Sequence, residues 1–324
     1  MATTFYHQIA ANKRNSLLLS TVVIALFAVL GLAIGYAWTA SGPGSVFVMI
    51  GALALGLVIA GGSYFAGDGL VISASQAHPV DETTEPQLVN VVREMSVAAN
   101  VPVPKVYITE DSAPNAFATG RDPKHASVVV TRGLLDKLDR EELQGVLAHE
   151  MSHVRNYDIR YTLLVGVLVG SIALLADMFL RSVFWGGVGR SRGRGEGGGA
   201  GGAIIMVLAL MLAILAPIIA RLVQLAVSRQ REYLADASAV DLTRNPHGLE
   251  RALEKIAVDR EVLEVANRAT QHLYFTNPIK KWEERSSGLW STHPPIVERI
   301  NRLRSLTGQA PLDRDGVLGL EGLD

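Results

Sequence analysis

His149-Glu150-Met151-Ser152-His153 sets two imidazoles four residues apart, with a carboxylate beside the first. On a helix, positions i and i+4 share a face, so both rings can reach one divalent ion. Glu150 then stands beside that ion, where it can take a proton from a bound water. This is the equipment of metal-assisted hydrolysis of a peptide bond. Leu143 to Val154 reads as helix, and Asp139 with Glu142 supplies a D-x-x-E capping signature at its start. The plain alternative is a surface helix that happens to carry two histidines.

Two histidines do not complete a zinc site, which needs a third protein ligand and an open position for water. The chain has no cysteine, so disulfides and thiolate ligands are excluded and the third ligand must be His, Asp or Glu. In the segment Ser228-Arg229-Gln230-Arg231-Glu232-Tyr233-Leu234-Ala235-Asp236, Glu232 and Asp236 are spaced i and i+4 on a predicted helix. Both carboxylates therefore project from one face. Glu232 is the candidate third ligand, and Asp236 the candidate acceptor for an imidazole N–H, which would fix that ring's tautomer. Taken alone, E-x-x-x-D equally describes a solvated charged face.

These residues sit in a chain dominated by four apolar runs. Leu17 to Trp38 and Val46 to Ala66 carry no charge, Tyr161 to Leu180 is interrupted by Asp177, and Ala203 to Ala220 contains Pro217. Each approaches the roughly 20 residues that cross a bilayer as a helix. The first is longer than the roughly 7–15 residues of a signal-peptide core and lacks a convincing small-x-small cleavage site before the next apolar run, so it reads as an anchor, with a cleaved signal as the alternative. A lipid bilayer is thus an expected partner. The net charge of −1 gives no reason to propose nucleic acid.

The runs pair into two hairpins. Thr39 to Ser45, with Gly42-Pro43-Gly44, forms the first turn; the glycine- and arginine-rich linker 181–202 forms the second. The expected organisation is a transmembrane hairpin at 1–67, a first catalytic segment at 68–160, a second hairpin at 161–220 and a second catalytic segment at 221–324. In the first soluble segment Gln87 to Ala99 reads as an amphipathic helix, and Lys105 to Thr109 and Ser127 to Thr131 read as strands. Asn245-Pro246 and Pro294-Pro295 mark two later helix starts, the second ahead of Ile296, Ile300 and Leu303 on one face.

Taken together, His149-Glu150-x-x-His153 and Ser228-Arg229-x-x-Glu232-x-x-Ala235-Asp236 closely resemble the HtpX family of membrane zinc metallopeptidases. Type I CAAX prenyl proteases are more distant relatives. Asn115-Ala116-Phe117-Ala118-Thr119-Gly120 and Ser291-Thr292-His293-Pro294-Pro295 also match the family pattern, and the order of spans and motifs agrees over nearly the whole chain. The resemblance implies a mostly helical α+β, gluzincin-like catalytic domain with four transmembrane helices. It implies one Zn2+ held by His149, His153 and Glu232, with Glu150 catalytic. It implies His293 as a second donor to the oxyanion; a histidine capping the helix that starts at Pro294 is the alternative. Asn115, Ala116 and Phe117 look like the edge strand on which family members lay a substrate backbone, with simple turn chemistry around Pro114-Asn115 as the alternative. The expected substrates are misfolded or damaged membrane proteins, in cooperation with other quality-control proteases of the bacterial inner membrane.

The chemistry constrains topology. Glu232 must meet His149 and His153, so both soluble segments lie on one side of the membrane. Lys13 and Arg14 place the N-terminus inside, and a two-span hairpin returns the chain to the cytoplasm. The basic linker from Arg181 to Arg194 opposes that orientation, and Asp177 makes the third run the weaker span. A zinc-binding membrane adaptor without catalysis is the rival reading; Glu150 argues against it, because a structural ion needs no general base.

Overall fold

The computed structural model describes residues 5–39, 42–164, 231–259, 261 and 294–312. Most of the third apolar run, all of the fourth, the linker 181–202 and His293 lie outside the described residues. The chain divides into two compact units, one of residues 1–13, 66–163 and 225–324, the other of 14–65 and 164–224.

The described part of the second unit belongs to two long helices, α1 (Phe5–Thr39) and α2 (Gly42–Ala74). They approach closely at Gly31, where an added Cβ would lie 2.5 Å from the Cβ of Ala52. Small residues at such a crossing let two apolar helices associate through backbone contact. Leu17, Leu18, Phe47 and Val58 point outward and are largely exposed. α2 is long and apolar enough to cross a membrane.

Two boundaries differ from the sequence expectation. Gly42-Pro43-Gly44, expected in the turn, begins α2. Proline is compatible with a first helical turn because no intrahelical partner exists there for its missing N–H. At the other end, α2 continues past Asp68 to Ala74 because Val71 and Ile72 have apolar surface to bury. Val71 packs with Ala113, Phe117, Val129 and Leu163 in a satellite cluster of the first unit.

In the first unit, a four-stranded sheet is built from β1 (His78–Pro79), β2 (Lys105–Thr109), β3 (Ala116–Gly120) and β4 (Ala126–Thr131), in the order β1-β2-β4-β3. β2 and β4 are parallel in the middle, and β3 runs antiparallel to β4 at the edge, with Ala118 opposite Val128. One face, through Ile108, Val128 and Val130, packs on α3 (Pro86–Ala99) and α5 (Arg140–Arg155). α3 presents Leu88, Val91, Val92, Met95 and Ala99 at helical spacing, and Asn100 ends it in the left-handed conformation that a helix C-cap favours. The short α4 (Arg132–Lys137) is capped by the Thr131 hydroxyl.

α5 is the centre of this unit. It packs on α3 along one flank and on α8 (Pro246–Val258) along the other. Its buried Leu143, Val146, Leu147, Met151 and Val154 each contribute about 1.5–3 kcal/mol through burial. Gly145 lets α8 come close: a Cβ there would stand 2.7 Å from the Leu249 backbone nitrogen. The helical stretches 158–164 (α6) and 231–243 (α7) lie between α5 and α8 in sequence, and α9 (Ile296–Leu306) packs on α8.

Candidate metal centre

The phase of α5 is set at its first turn. The Asp139 carboxylate accepts from the backbone N–H groups of Glu141 and Glu142, while the Glu142 carboxylate accepts from the Asp139 N–H at 2.8 Å. Further along the same helix His149, Glu150 and His153 lie where it meets α7 and β3. His149 is fully buried and His153 is partly buried.

The Nε2 atoms of His149 and His153 are 3.1 Å apart. Glu232, on α7, brings Oε2 to 3.6 Å from the His149 nitrogen and Oε1 to 3.6 Å from that of His153. Ligands about 2.1 Å from a tetrahedral ion lie about 3.4 Å from one another, so these separations leave room for one small divalent cation. All three ligand atoms lie within 4.8 Å of one another.

Behind each imidazole stands a carboxylate. Asp236 Oδ1 is 2.9 Å from His149 Nδ1, and Asp158 Oδ2 is 3.1 Å from His153 Nδ1. Each carboxylate therefore accepts a hydrogen bond from Nδ1–H, so that Nε2 is the nitrogen left to face an ion. Behind each carboxylate stands a guanidinium. Arg299, on α9, grips Asp236 with Nε at 2.9 Å and Nη2 at 2.7 Å. Arg231 places Nε 3.4 Å from Asp158 and lies over the Tyr161 ring at 3.8 Å.

The charges of these groups also ask for a cation. Glu150, Asp158, Glu232 and Asp236 are buried carboxylates, and the guanidiniums beside them are those of Arg231 and Arg299. Among the described residues, with all four carboxylates ionised and both histidines neutral, these groups carry two net negative charges, which a divalent ion would offset. Burial disfavours a charged His153, yet its bond to Asp158 and the charges of Glu232, Asp158 and Glu150 outweigh that, pushing its pKa up to about 9. Burial likewise opposes ionisation of Asp236, but Arg299 and the bond from His149 hold its carboxyl below the usual range. For Glu150 burial wins: its carboxyl is raised, with Glu232 pushing the same way, although both histidines and the Ala118 N–H pull against it. A raised carboxyl beside a metal pocket suits a group that must accept and then return a proton.

β3 lies along this helix. The Asn115 carbonyl accepts from the Thr131 N–H, and the Asn115 N–H donates to the Thr131 hydroxyl at 2.8 Å. Strand alternation then turns the backbone groups of Phe117 and Thr119 toward β4 and those of Ala116 and Ala118 toward the open edge. The Ala118 N–H accordingly reaches Glu150. Of the residues expected to meet substrate, Ala116 has edge-facing backbone groups. Phe117 is buried in the satellite cluster, and Asn115 precedes the strand with its side chain accepting from the Ala116 N–H. His293 is outside the described residues.

Residues 82–307 match the sequence pattern of Peptidase family M48. The chain belongs to that family. Among its relatives, a Protease HtpX homolog of Streptococcus uberis is 42% identical over 301 residues, covering 93% of this chain and 99% of its own length. The Lactiplantibacillus plantarum protein of the same description is 45% identical over 304 residues, again 93% of this chain and 99% of its own. One from Listeria monocytogenes is 43% identical over 308 residues, with the same shares. This member of family M48 is a metallopeptidase with a mostly helical α+β fold.

Asp158, Arg231 and Arg299 also belong to this centre, and the sequence pattern does not single them out. Asp158 lies past the end of α5, beyond Tyr157 with its φ of 61°, where helical spacing no longer tells direction. Arg299 did leave a signal. It occupies the i+3 position of the stripe Ile296, Ile300, Leu303, where an apolar residue is the rule.

Proposed function

We propose that this protein is a membrane-anchored zinc endopeptidase that cleaves misfolded or damaged membrane proteins near the bilayer surface. The observation that carries this reading is the convergence of two Nε2 atoms and one carboxylate beside the buried Glu150. Two imidazoles and one carboxylate, without a thiolate, are a donor set suited to catalytic zinc. When bound, zinc would polarise the scissile carbonyl and lower the pKa of a water toward about 7.

The chain's own groups do the rest. Glu150 accepts the proton of the attacking water on a carboxylate oxygen and later passes it to the leaving amine nitrogen. Asp236 and Asp158 keep the His149 and His153 rings in the tautomer that bares Nε2. The substrate adds as an extended strand along β3, donating to the edge-facing carbonyls of Ala116 and Ala118, with Asn115 and Phe117 fixing the strand's position. His293 donates to the oxygen that gains charge in the transition state.

The membrane arrangement proposed is four spans in two hairpins in the bacterial inner membrane. The hairpins at 1–67 and 161–220 anchor a gluzincin-like catalytic domain formed by 68–160 and 221–324. The Lys13 and Arg14 charges before the first span support a cytoplasmic catalytic face. Cooperation with other membrane quality-control proteases belongs to the same reading and rests on the family resemblance of the motifs.

Glu150→Gln in detergent-purified full-length protein tests the proposal. Bound zinc should stay at the wild-type level while cleavage of an unfolded protein substrate is lost. Undiminished cleavage would remove Glu150 from the mechanism.

A further inference from the structure

Arg299 is 1% exposed, in a helix that contributes no metal ligand. A guanidinium is buried at such a place only when its charge and donors are matched. Here they are matched by the carboxylates of the metal centre. Nε and Nη2 take both oxygens of Asp236, Nη1 faces Glu232 Oε2 at 3.8 Å, and Nη2 is 3.4 Å from His149 Nδ1.

We propose that Arg299 is a positioning residue of the metal centre, fixing Asp236 against His149 and holding Glu232 in its ligand orientation. This rests on the metal-site reading and adds to it an element, α9, that sequence spacing does not connect with the ligands. The need for it is electrostatic. Glu232 and Asp236 leave one face of α7 side by side and buried, and like charges at i and i+4 repel. Rotamers that separate them would lift Asp236 off His149 and turn Glu232 away from the ion. A positive charge between them removes that bias, and a planar fork gripping both oxygens fixes the plane of the Asp236 carboxylate. The counterpart behind His153 is looser, because Arg231 reaches Asp158 through Nε at 3.4 Å. α9 lies late in the chain, so a complete metal centre also requires α9 to be docked.

The test uses full-length protein in detergent, comparing wild type with Arg299→Met, Arg299→Lys, Asp236→Asn and the Arg299→Met/Asp236→Asn pair. Zinc affinity is read by chelator competition, the ligand field from the visible spectrum of the cobalt-substituted protein, and folding from thermal unfolding in chelator. Arg299→Met should weaken zinc binding by about 10–100-fold and shift the cobalt spectrum at saturating metal. Arg299→Lys, which keeps the charge but not the fork, should recover part of the affinity and still show a shifted spectrum. The double variant should lose clearly less affinity than the sum of the two single losses, since Arg299 acts largely through Asp236 and only in part through Glu232.

A folded Arg299→Met protein with wild-type affinity and spectrum would overturn the proposal, as would additive losses in the double variant. Should Arg299→Met fail to fold, Arg299→Lys decides: intermediate affinity supports the fork, and wild-type behaviour rejects it. Wild-type protein that binds no ion would instead sink the metal-site reading itself, so the two failures are separable.

Discussion

Gly145→Ala is a one-methyl probe of the packing that holds the metal helix in place. The added Cβ would lie 2.7 Å from the Leu249 nitrogen and 2.8 Å from its Cα, backbone atoms with no rotamer to change. Restoring an ordinary contact of 3.4 Å requires α5 and α8 to part by about 0.7 Å. Overpacking of this kind costs about 1–3 kcal/mol. Alanine returns roughly 1 kcal/mol through its better helix propensity, so the net loss is about 0–2 kcal/mol. For a domain of this size that lowers Tm by up to roughly 8 °C. Because His149 lies about one turn further along, the displacement should also weaken ion binding. Thermal unfolding in detergent, with chelator and with saturating zinc, measures both effects. Gly69→Ala is the control, since Gly69 is helical with nothing within 4 Å of the added methyl. A Gly145→Ala protein stabilised as much as the Gly69→Ala control would show that the two helices are not in backbone contact, and the packing argument would fail.

Other outcomes follow from the same geometry. Asp158→Asn should weaken zinc binding by about 10-fold, and less than Asp236→Asn, because His153 is more loosely backed; equal losses would refute that ranking. Glu142→Ala should cost about 1–3 kcal/mol of stability, since it removes the acceptor of the Asp139 N–H and the partner of Lys255 at 2.8 Å from a buried position; an unchanged melting curve would contradict it. Zinc binding should release protons at pH 7. Below about pH 9 the ion-free protein keeps its proton on His153, and an ion needs the bare nitrogen, so apparent affinity should rise with pH through neutrality and level off near that value. Calorimetry at pH 7 in buffers of different ionisation heat measures the release, and identical heats would exclude it.

Much of this was legible in the sequence, for reasons that differ by element. The metal helix was readable because its signals are local: Asp139 and Glu142 form the capping box they spell. The start of α8 was readable for the same reason, since the Asn245 side chain accepts from the Gly248 N–H just ahead of the helix interior. β4 announced itself through its valine run, and β2 through the strand-forming residues that follow Pro102 and Pro104. β1 did not, because His78–Pro79 is a strand only by pairing with Tyr107 and Ile108. Asp236 could be found because it is one helical turn from Glu232. Arg299 could not be assigned a partner, since it meets Asp236 across 63 positions of chain and no spacing rule spans that distance. Likewise the end of α2 depended on Val71 finding Phe117 and Val129, a tertiary contact invisible in the apolar run itself.

The most direct measurement is the metal content and metal-edge X-ray absorption of full-length protein beside Glu232→Ala, both purified under zinc-replete conditions. If His149, His153 and Glu232 grip one ion, wild type should carry one zinc per chain with nitrogen and oxygen neighbours at about 2.0–2.2 Å, and the variant should lose most of it. Full zinc occupancy and an unchanged absorption spectrum in Glu232→Ala would show that another group completes the coordination, and the metal centre described above would be wrong.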